Sequence, residues 1–588
     1  MIILTMKRFL LSLALVLCAT GLFAQIENAQ VNGSFQIDGQ YYQVDEGIGI
    51  TEEYIISENV PQFGINGFGK INYSLGNFTA GLRYEAYLPP MSGFDKRLQG
   101  VGLANYYASY DNGTISVTLG DIYDQFGNGF IFRTYEEWSL GFDNSLRGMR
   151  VIYRPTEGVT LKAVYGKQRY YWSSYAATES RGVVRGIDGE WDLNQSISAM
   201  NDSKFRASLG GSFVSKYQKN SNPTYTIPEN VGAFDGRINL GYGRFGFTTE
   251  YAYKINDPSA FNNYTYHEGQ AFLSSLSYSQ KGFGVILQVK RVDNMSFKSD
   301  YQGTKNDLDI NFIPPINYTH THSLPAIYTY ATQPLGEMAM QLQVNYTIPK
   351  KTIIGGKYGT KITLDFSQVN DIKRNYILEP GQEAPAHIAG YDGTLGYTSP
   401  FFAVGDRKFF HDFNIEIERR LSKKWKLIAQ YINLYYDMET IENHPGAEVV
   451  KANIGFIDLS YRITNKQSIR MELQHLWDNI TAGNCEKYQE EIDNHPDNFK
   501  KRGNWAAALV EYSIGAKWFV SVGDKWNYGN PIAENRDHYY SASVGYIKES
   551  TRITLTGGRQ NEGMVCVGGV CRVVPASSGV SLSITTTF

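Results

Sequence analysis

Apolar and polar residues alternate along most of the chain. In residues 411–418 the apolar side chains share one parity and the carboxylates share the other, and residues 468–474 and 79–88 follow the same rule. A repeat of two residues is that of a β-strand with one apolar and one polar face. The pattern therefore predicts an all-β protein.

Turn-forming segments separate eleven pairs of these alternating runs. Most contain glycine, asparagine or neighbouring charged residues, which are typical of hairpin connections. They lie near residues 75–77, 111–113, 155–158, 192–203, 242–244, 280–282, 349–359, 422–424, 464–466, 515–516 and 548–550. With an opening strand near 31–44 and a closing strand near 580–588, the count is about 24 strands, within a range of about 22 to 26.

An even number of strands with both termini at one end is typical of a transmembrane antiparallel up-and-down β-barrel with long extracellular loops. A soluble β-sandwich would also alternate, with its polar face outside. The barrel is favoured because short turns alternate with long segments, and because aromatic residues such as Trp425, Trp518 and Tyr546 lie near strand ends, as in membrane girdles. The long segments are residues 256–266, 293–333, 370–408, 478–501 and 523–537.

The polar parity of three strands carries charges that a barrel would direct inward. Their hydration must come from water or from paired partners inside the barrel, since lipid supplies neither. The candidate lumen-lining residues are Arg83, Glu85, Asp412, Glu416, Glu418, Arg470 and Glu472. Residues 311–334 are too apolar and aromatic to hang free in water, so we expect them to pack against the inner wall or a partner.

Residues 1–24 have a basic start, a short apolar run and a small-residue end, which predicts a secretory signal peptide. Residues 25–588 are then expected to form a single outer-membrane barrel domain, with no separate plug because the first predicted strand follows almost at once. Removing Lys7 and Arg8 leaves 53 of the 55 basic residues against 58 acidic ones, a net charge near −5. This balance gives no reason to expect a nucleic-acid partner.

Three cysteines follow the predicted signal peptide. Cys566 and Cys571 flank a Gly568-Gly569 turn, where opposite Cα atoms of a non-hydrogen-bonded pair lie about 4.5 Å apart. The spacing therefore predicts a disulfide between Cys566 and Cys571. Cys485 is left odd in a polar segment.

The chain ends on an alternating segment with Val580, Leu582, Ile584 and Phe588 on its apolar parity. This ending resembles the terminal signal of outer-membrane barrels, whose last strand carries a final Phe read by the assembly machinery. The resemblance implies two partners, outer-membrane lipid and the barrel-assembly machinery. A soluble β domain that ends in Phe is the alternative for this segment taken alone.

Four segments together resemble a Bacteroidota family of outer-membrane barrels with no assigned function. They are residues 120–129 (Gly-Asp-Ile-Tyr-Asp-Gln-Phe-Gly-Asn-Gly), 143–148, 324–328 and the cysteine hairpin 565–575. The similarity covers nearly all of residues 25–588. It implies the location and the fold, and brings neither catalytic residues nor a substrate.

No motif predicts an enzyme, a cofactor or a metal. His320 and His322 lack a carboxylate or cysteine at ligand spacing, so solvated or stacked loop histidines are expected. His538 and Ser541 are three residues apart and would face opposite sides of a strand. The segment Gly127-Asn128-Gly129 lacks the lysine and helix of a phosphate loop and is predicted to be a turn.

Two functions remain. The first is a porin-like barrel for passage or surface binding of a hydrophilic solute, with residues 293–333 as a constriction. The alternative is a non-enzymatic scaffold subunit of a secretion, motility or assembly complex that grips a partner protein. Charged residues in an open lumen favour the pore, and a lumen packed by residues 311–334 favours the scaffold.

Overall fold

The computed structural model describes residues 29–57, 60–170, 180–378, 380–381, 383, 393–567 and 570–588. The signal-peptide prediction for residues 1–24 lies outside these residues. Within them, 24 strands form one antiparallel sheet, as predicted. The strands are β1 Ala29–Tyr42, β2 Phe63–Leu75, β3 Phe78–Tyr87, β4 Gly100–Asp111, β5 Ile115–Ile122, β6 Leu146–Tyr153, β7 Val159–Gln168, β8 Val183–Asp192, β9 Phe205–Tyr217, β10 Asn230–Tyr242, β11 Phe245–Lys254, β12 Gly269–Gln280, β13 Phe283–Asp293, β14 Gly336–Ile348, β15 Thr360–Ile372, β16 Val404–Arg420, β17 Trp425–Tyr436, β18 Val450–Thr464, β19 Gln467–Asp478, β20 Trp505–Ile514, β21 Trp518–Trp526, β22 Ser541–Lys548, β23 Thr551–Gln560 and β24 Ser577–Thr587.

The sheet closes on itself. β1 pairs with β2 on one side and with β24 on the other, with Ile37 opposite Ile584. Each of the 24 described strands therefore has a neighbour on both sides, and consecutive strands pair throughout. Closure satisfies the backbone groups that an open edge would leave unpaired.

Most connections at one end of the barrel are short turns, whereas those at the other end are longer segments. All eleven predicted turns fall between consecutive strands and lie at one end, here called the turn end. Gly243 and Gly282 adopt positive φ values of 60° and 79°, which glycine reaches without steric cost. The longer connections lie at the opposite end, here called the loop end. They are residues 43–62, 88–99, 123–145, 169–182, 218–229, 255–268, 294–335, 373–403, 437–449, 479–504, 527–540 and 561–576.

Alternation gives the barrel two different faces. The outward parity carries exposed apolar side chains on nearly every strand, including Leu119, Ile187, Phe234, Leu276, Leu342, Ile457, Leu473, Val522 and Leu555. The inward parity carries the charged and polar residues. Apolar residues outside and polar residues inside reverse the arrangement of a soluble sandwich.

Short helices, 3-10 turns and small strand pairs lie within the connections. The α-helices of the described residues are α1 Glu52–Ser57, α2 Leu193–Ser196, α3 Met438–Ile441 and α4 Gln489–Asn494. Single 3-10 turns cover Glu46–Ile48, Lys96–Leu98, Trp138–Leu140, Ser198–Met200, Ala260–Asn262, Pro325–Tyr328, Cys485–Tyr488, Pro496–Phe499 and Ala533–Asn535. Three small strand pairs join Glu136–Glu137 to Phe142–Asp143, Asn375–Tyr376 to Tyr397–Thr398, and Gly563–Val567 to Val570–Val574. Helices of the described chain are all too short or too polar to cross a membrane.

The main apolar core lies inside the barrel, between the wall and two inserted connections. Residues 294–335, here called the inner loop, supply Ile313, Ile316, Leu324, Ile327, Tyr328 and Tyr330 to this core. Residues 123–145 supply Phe126, Phe130 and Phe132. The prediction that residues 311–334 pack against the inner wall is confirmed, whereas the inward insertion of residues 123–145 was not predicted.

Some predicted boundaries are wrong by a few residues. β15 continues to Ile372, β16 begins at Val404, and β21 continues to Trp526, so the connections near 370–408 and 523–537 are shorter than expected.

Candidate functional site in the barrel lumen

The seven candidate lumen-lining residues lie in three separate places on the inner wall. Arg83 and Glu85 are on β3, Asp412, Glu416 and Glu418 on β16, and Arg470 and Glu472 on β19. Four of them, Arg83, Glu85, Asp412 and Glu472, are at most 5% exposed. Glu418 and Arg470 lie closer to the turn end and keep about a third of their side-chain surface in solvent (37% and 36%).

On β3, the charges hold the 123–145 connection against the wall. Arg83 contacts Glu85 at 2.9 Å and also pairs with Glu136 and Asp143 of that connection. Arg169 joins the group through Glu85 at 2.6 Å and Asp143 at 2.7 Å. Burial raises the pKa of the Asp143 carboxyl, but the Arg83 and Arg169 guanidinium groups outweigh burial and hold that pKa below its usual range.

On β16, the carboxylates bind the inner loop. His320 Nε2 lies 2.5 Å from Asp412 Oδ2. Tyr318 donates a hydrogen bond to Glu416 Oε2 at 3.3 Å. Two of the wall carboxylates predicted to face the lumen therefore have partners in the inner loop, which is the second of the two predicted sources of their hydration.

On β19, the inner loop makes a second set of polar contacts. His322 Nδ1 lies 3.1 Å from Glu472 Oε2, and its ring centre lies 3.7 Å from that of Phe456. The Leu324 N–H donates to Gln474 Oε1 at 3.0 Å, and Gln474 donates to Ser323 Oγ at 2.9 Å. This part of the loop is therefore fixed to the wall by both backbone and side-chain hydrogen bonds.

The expectation for the two histidines is only partly correct. His322 packs against the Phe456 ring and His320 against the Tyr318 ring, both in tilted geometry, but neither histidine is solvated, because His320 and His322 keep only 9% and 16% of their side-chain surface in solvent. Among the described residues, no three His, Cys, Asp or Glu side chains are grouped so as to hold a metal ion. Their chemistry here is loop anchoring.

Sequence reasoning missed a buried ion pair at the root of the inner loop. Lys290 on β13 contacts Glu337 on β14 at 2.7 Å, and both side chains are fully buried. Lys290 also donates to the Pro314 carbonyl at 2.7 Å, and Tyr330 hydrogen-bonds Glu337. The signal in the sequence was a lysine on the same parity of β13 as Ile286 and Val292.

The loop end contains a cavity of about 1650 Å³, here called the vestibule. Its wall includes parts of the 88–99 connection, the root of the inner loop, α3 and the cysteine hairpin. Four arginines line it: Arg97, Arg169, Arg407 and Arg572. A smaller cavity of about 730 Å³ lies near the turn end, beside Arg237 and Asp192. The inner loop and the 123–145 connection pack inside the barrel against the wall strands.

The remaining predicted site residues lie in the hairpin at the loop end, in residues 479–504 and on or next to the wall strand β24. Cys566 is opposite Cys571 in the hairpin register, with Val567 opposite Val570. The two cysteine side chains lie outside the described residues, so their disulfide stays a prediction. Cys485 is free. On β24, Val580 and Leu582 are exposed and Ile584 is half-buried, and Leu582 lies between Gly39 and Leu555. Phe588, which follows β24, is also exposed.

Comparisons with known proteins give a family and a set of distant barrels. A search of curated protein sequences found no match. Similar solved structures include the copper transporter OprC, with 9% identity, 95% of this chain and 81% of that chain covered, and a TM-score of 0.38. A variant of the ferric enterobactin receptor PfeA from Pseudomonas aeruginosa has 10% identity, coverage of 95% and 80%, and a TM-score of 0.40. A BenF-like porin from Pseudomonas fluorescens Pf-5 has 12% identity, coverage of 77% and 99%, and a TM-score of 0.32.

Structural similarity this low supports no conclusion about this chain. The barrel assignment rests on the strand pairing of the chain itself. A family profile matches residues 6–588 and is described as a family of unknown function (DUF6029). Because this match spans nearly the whole sequence, the chain belongs to the family of unknown function DUF6029.

Proposed function

We propose that this chain is an integral outer-membrane β-barrel that binds a hydrophilic solute at its loop end and passes it through a lumen constricted by the inner loop. The observation that carries the proposal is the pair of faces on one closed sheet. The outer face is apolar on nearly every strand, and the inner face is charged. The function needs neither a catalytic step nor a cofactor.

The outer face supports the membrane part of the proposal. A monomer in water rarely exposes a continuous apolar surface, and here side chains such as Leu473 and Val522 are 62% and 58% exposed on adjoining parts of one belt. A closed sheet is also one of the two structures that satisfy all backbone groups in lipid. The predicted signal peptide and the terminal Phe588 would supply export and recognition by the barrel-assembly machinery.

The inner face supports passage of a polar solute. At the turn end, Arg470 contacts Asp458 at 2.6 Å, and Lys426 contacts Glu418 at 2.9 Å, with all but Asp458 more than a third exposed. These charges line a hydrated part of the lumen. The vestibule lies on the other side of the inner loop, so movement of that loop would connect the two spaces.

The alternative, a scaffold subunit, is favoured by the packing of the inner loop. Leu324 and Tyr328 are 0% and 2% exposed within the main apolar core, which is more typical of a permanent element than of a mobile gate. In that case the loop end would present a fixed surface to a partner protein.

Conductance separates the two functions. Purified protein in a planar bilayer is compared with a variant that lacks residues 311–331 and with a variant that has a Gly/Ser linker of equal length there. Slower migration of boiled than of unboiled samples on a gel checks that each variant is a folded barrel. The proposal expects low conductance for the whole chain and higher conductance for both variants. A folded deletion variant that conducts no ions refutes the pore and leaves the scaffold.

A further inference from the structure

The vestibule contains arginines in two different electrostatic situations. Arg97 contacts Asp307 at 3.0 Å, Arg169 contacts Glu85 at 2.6 Å, and Arg407 contacts Asp437 and Glu439, each at 2.6 Å. Each of these three guanidinium groups therefore has a carboxylate partner. Arg572, the fourth arginine of the cavity wall, is different.

Arg572 makes no ion pair with the described residues. Its Nε and Nη1 atoms are buried and have no hydrogen-bond partner in the described part of the chain. Burial lowers the pKa of Arg572 to about 10. The phenolate forms of Tyr42 and Tyr87 would raise this pKa, but both side chains are neutral at physiological pH. The guanidinium is still charged at pH 7, so at Arg572 the cavity wall carries a positive charge without a described counter-charge.

An aromatic ring positions this charge. The Arg572 Cζ atom lies 3.9 Å from the ring centre of Phe94, in cation–π contact. The two connections that carry these residues approach closely at Gly93, where a Cβ atom would lie 3.0 Å from Pro575 Cδ and 3.3 Å from the Val573 carbonyl oxygen. Gly93 also has a φ of 81°, so both its conformation and its lack of a side chain permit this contact.

We propose that Arg572 and Phe94 form a binding site in the vestibule for the anionic group of a small hydrophilic solute, either a carboxylate, a phosphate or a sulfate. The site deepens the proposed function by specifying that the solute is an anion. Only the passage of the solute after binding rests on that function.

The chemistry of the guanidinium favours such a ligand. A guanidinium that stacks on a ring by one face keeps its donor edge for two parallel N–H···O bonds to a planar or tetrahedral oxyanion. Nε and Nη1 are buried, so the anion meets the guanidinium where the side chain lines the vestibule, and it supplies the missing counter-charge there. The three paired arginines offer no such gain, because a ligand would have to compete with their carboxylates.

Equilibrium dialysis of the full chain in detergent tests the site with inorganic sulfate, inorganic phosphate and succinate as separate probes, and with glucose as a neutral control. We expect saturable binding of at least one anion and none of glucose. Arg572→Gln should weaken that binding by at least about tenfold, as expected for loss of charge-assisted hydrogen bonds. Arg572→Lys should weaken anion binding less, because lysine keeps the positive charge but lacks the two parallel N–H donors of the guanidinium.

Arg407→Gln is the matched control, since it removes an arginine of the same cavity that already has two carboxylate partners. Its effect should stay below about threefold, because two carboxylates already neutralise this guanidinium. Absence of saturable anion binding overturns the site, as does an equal loss in the Arg572 and Arg407 variants. Binding is measured without a membrane, so a chain that binds anions and conducts nothing would refute only the pore.

Discussion

Replacement of Leu324 by alanine should release the inner loop from the wall. Leu324 is fully buried in the main apolar core. Removing a buried leucine side chain costs about 2–5 kcal/mol, the spread depending on how far the site collapses. If that cost falls on loop docking, the ratio of released to docked loop rises by roughly 30-fold to several thousand-fold. The Leu324 N–H bond to Gln474 is unchanged by the substitution, so the effect isolates apolar packing.

Two measurements on the same samples check this prediction. Hydrogen exchange should show faster exchange in residues 311–331 of the Leu324→Ala variant, and planar-bilayer recordings should show more time in conducting states. Leu342→Ala is the control, since Leu342 lies on the outer face, 38% exposed, and makes no contribution to the inner core. A variant with faster exchange and unchanged conductance would show that the inner loop is not the constriction.

Three further predictions concern assembly, redox state and acid. Leu582→Asp places a charge on the outer face, at a cost on the order of 2 kcal/mol in lipid, and should lower the amount of assembled barrel. The control Ser581→Asp faces inward and should not lower it, so equal surface levels of the two variants would contradict this prediction. Mass mapping without reduction should find Cys566 bonded to Cys571, and separate free thiols would count against it. Asp143→Asn should cost about 3 kcal/mol of docking and expose residues 123–145 to protease at pH 7. Because the folded pKa of Asp143 is depressed, its contribution to docking of residues 123–145 is present above about pH 4 and is lost as the pH falls further. If protease protection of the wild type already declined between pH 7 and 5, the ion-pair account would be contradicted.

The barrel could be predicted because its signals are local. Gly76-Asn77, Gly243 and Gly282 mark turns through their own backbone preferences, and each lies between strands that pair directly. Alternation then decides which face of each strand is apolar, and a shift of one residue would reverse that face along the whole strand. Strand number and inward parity therefore follow from short stretches of sequence.

The interior could not be predicted in the same way, because its partners are far apart in the chain. His320 and Asp412 are separated by 92 residues, and Leu324 and Gln474 by 150. Parity places Asp412 on the inner wall but does not say whether water, a solute or a loop meets it. The 123–145 connection was missed for a related reason, since Phe126, Phe130 and Phe132 follow neither a strand period nor a helix period.

The two kinds of contact at the inner loop have different consequences for gating. Buried ion pairs such as Lys290 with Glu337 contribute little net stability, because desolvation offsets their attraction, but breaking one partner is costly. Apolar packing around Leu324 therefore supplies most of the free energy that docks the loop, and the charged contacts fix its position along the wall. A solute that only displaces His320 from Asp412 would leave the apolar core intact. In the proposed pore, opening would therefore have to separate the loop from the wall strands themselves, and a ligand or partner that opens the lumen would have to bind the released loop better than the docked one.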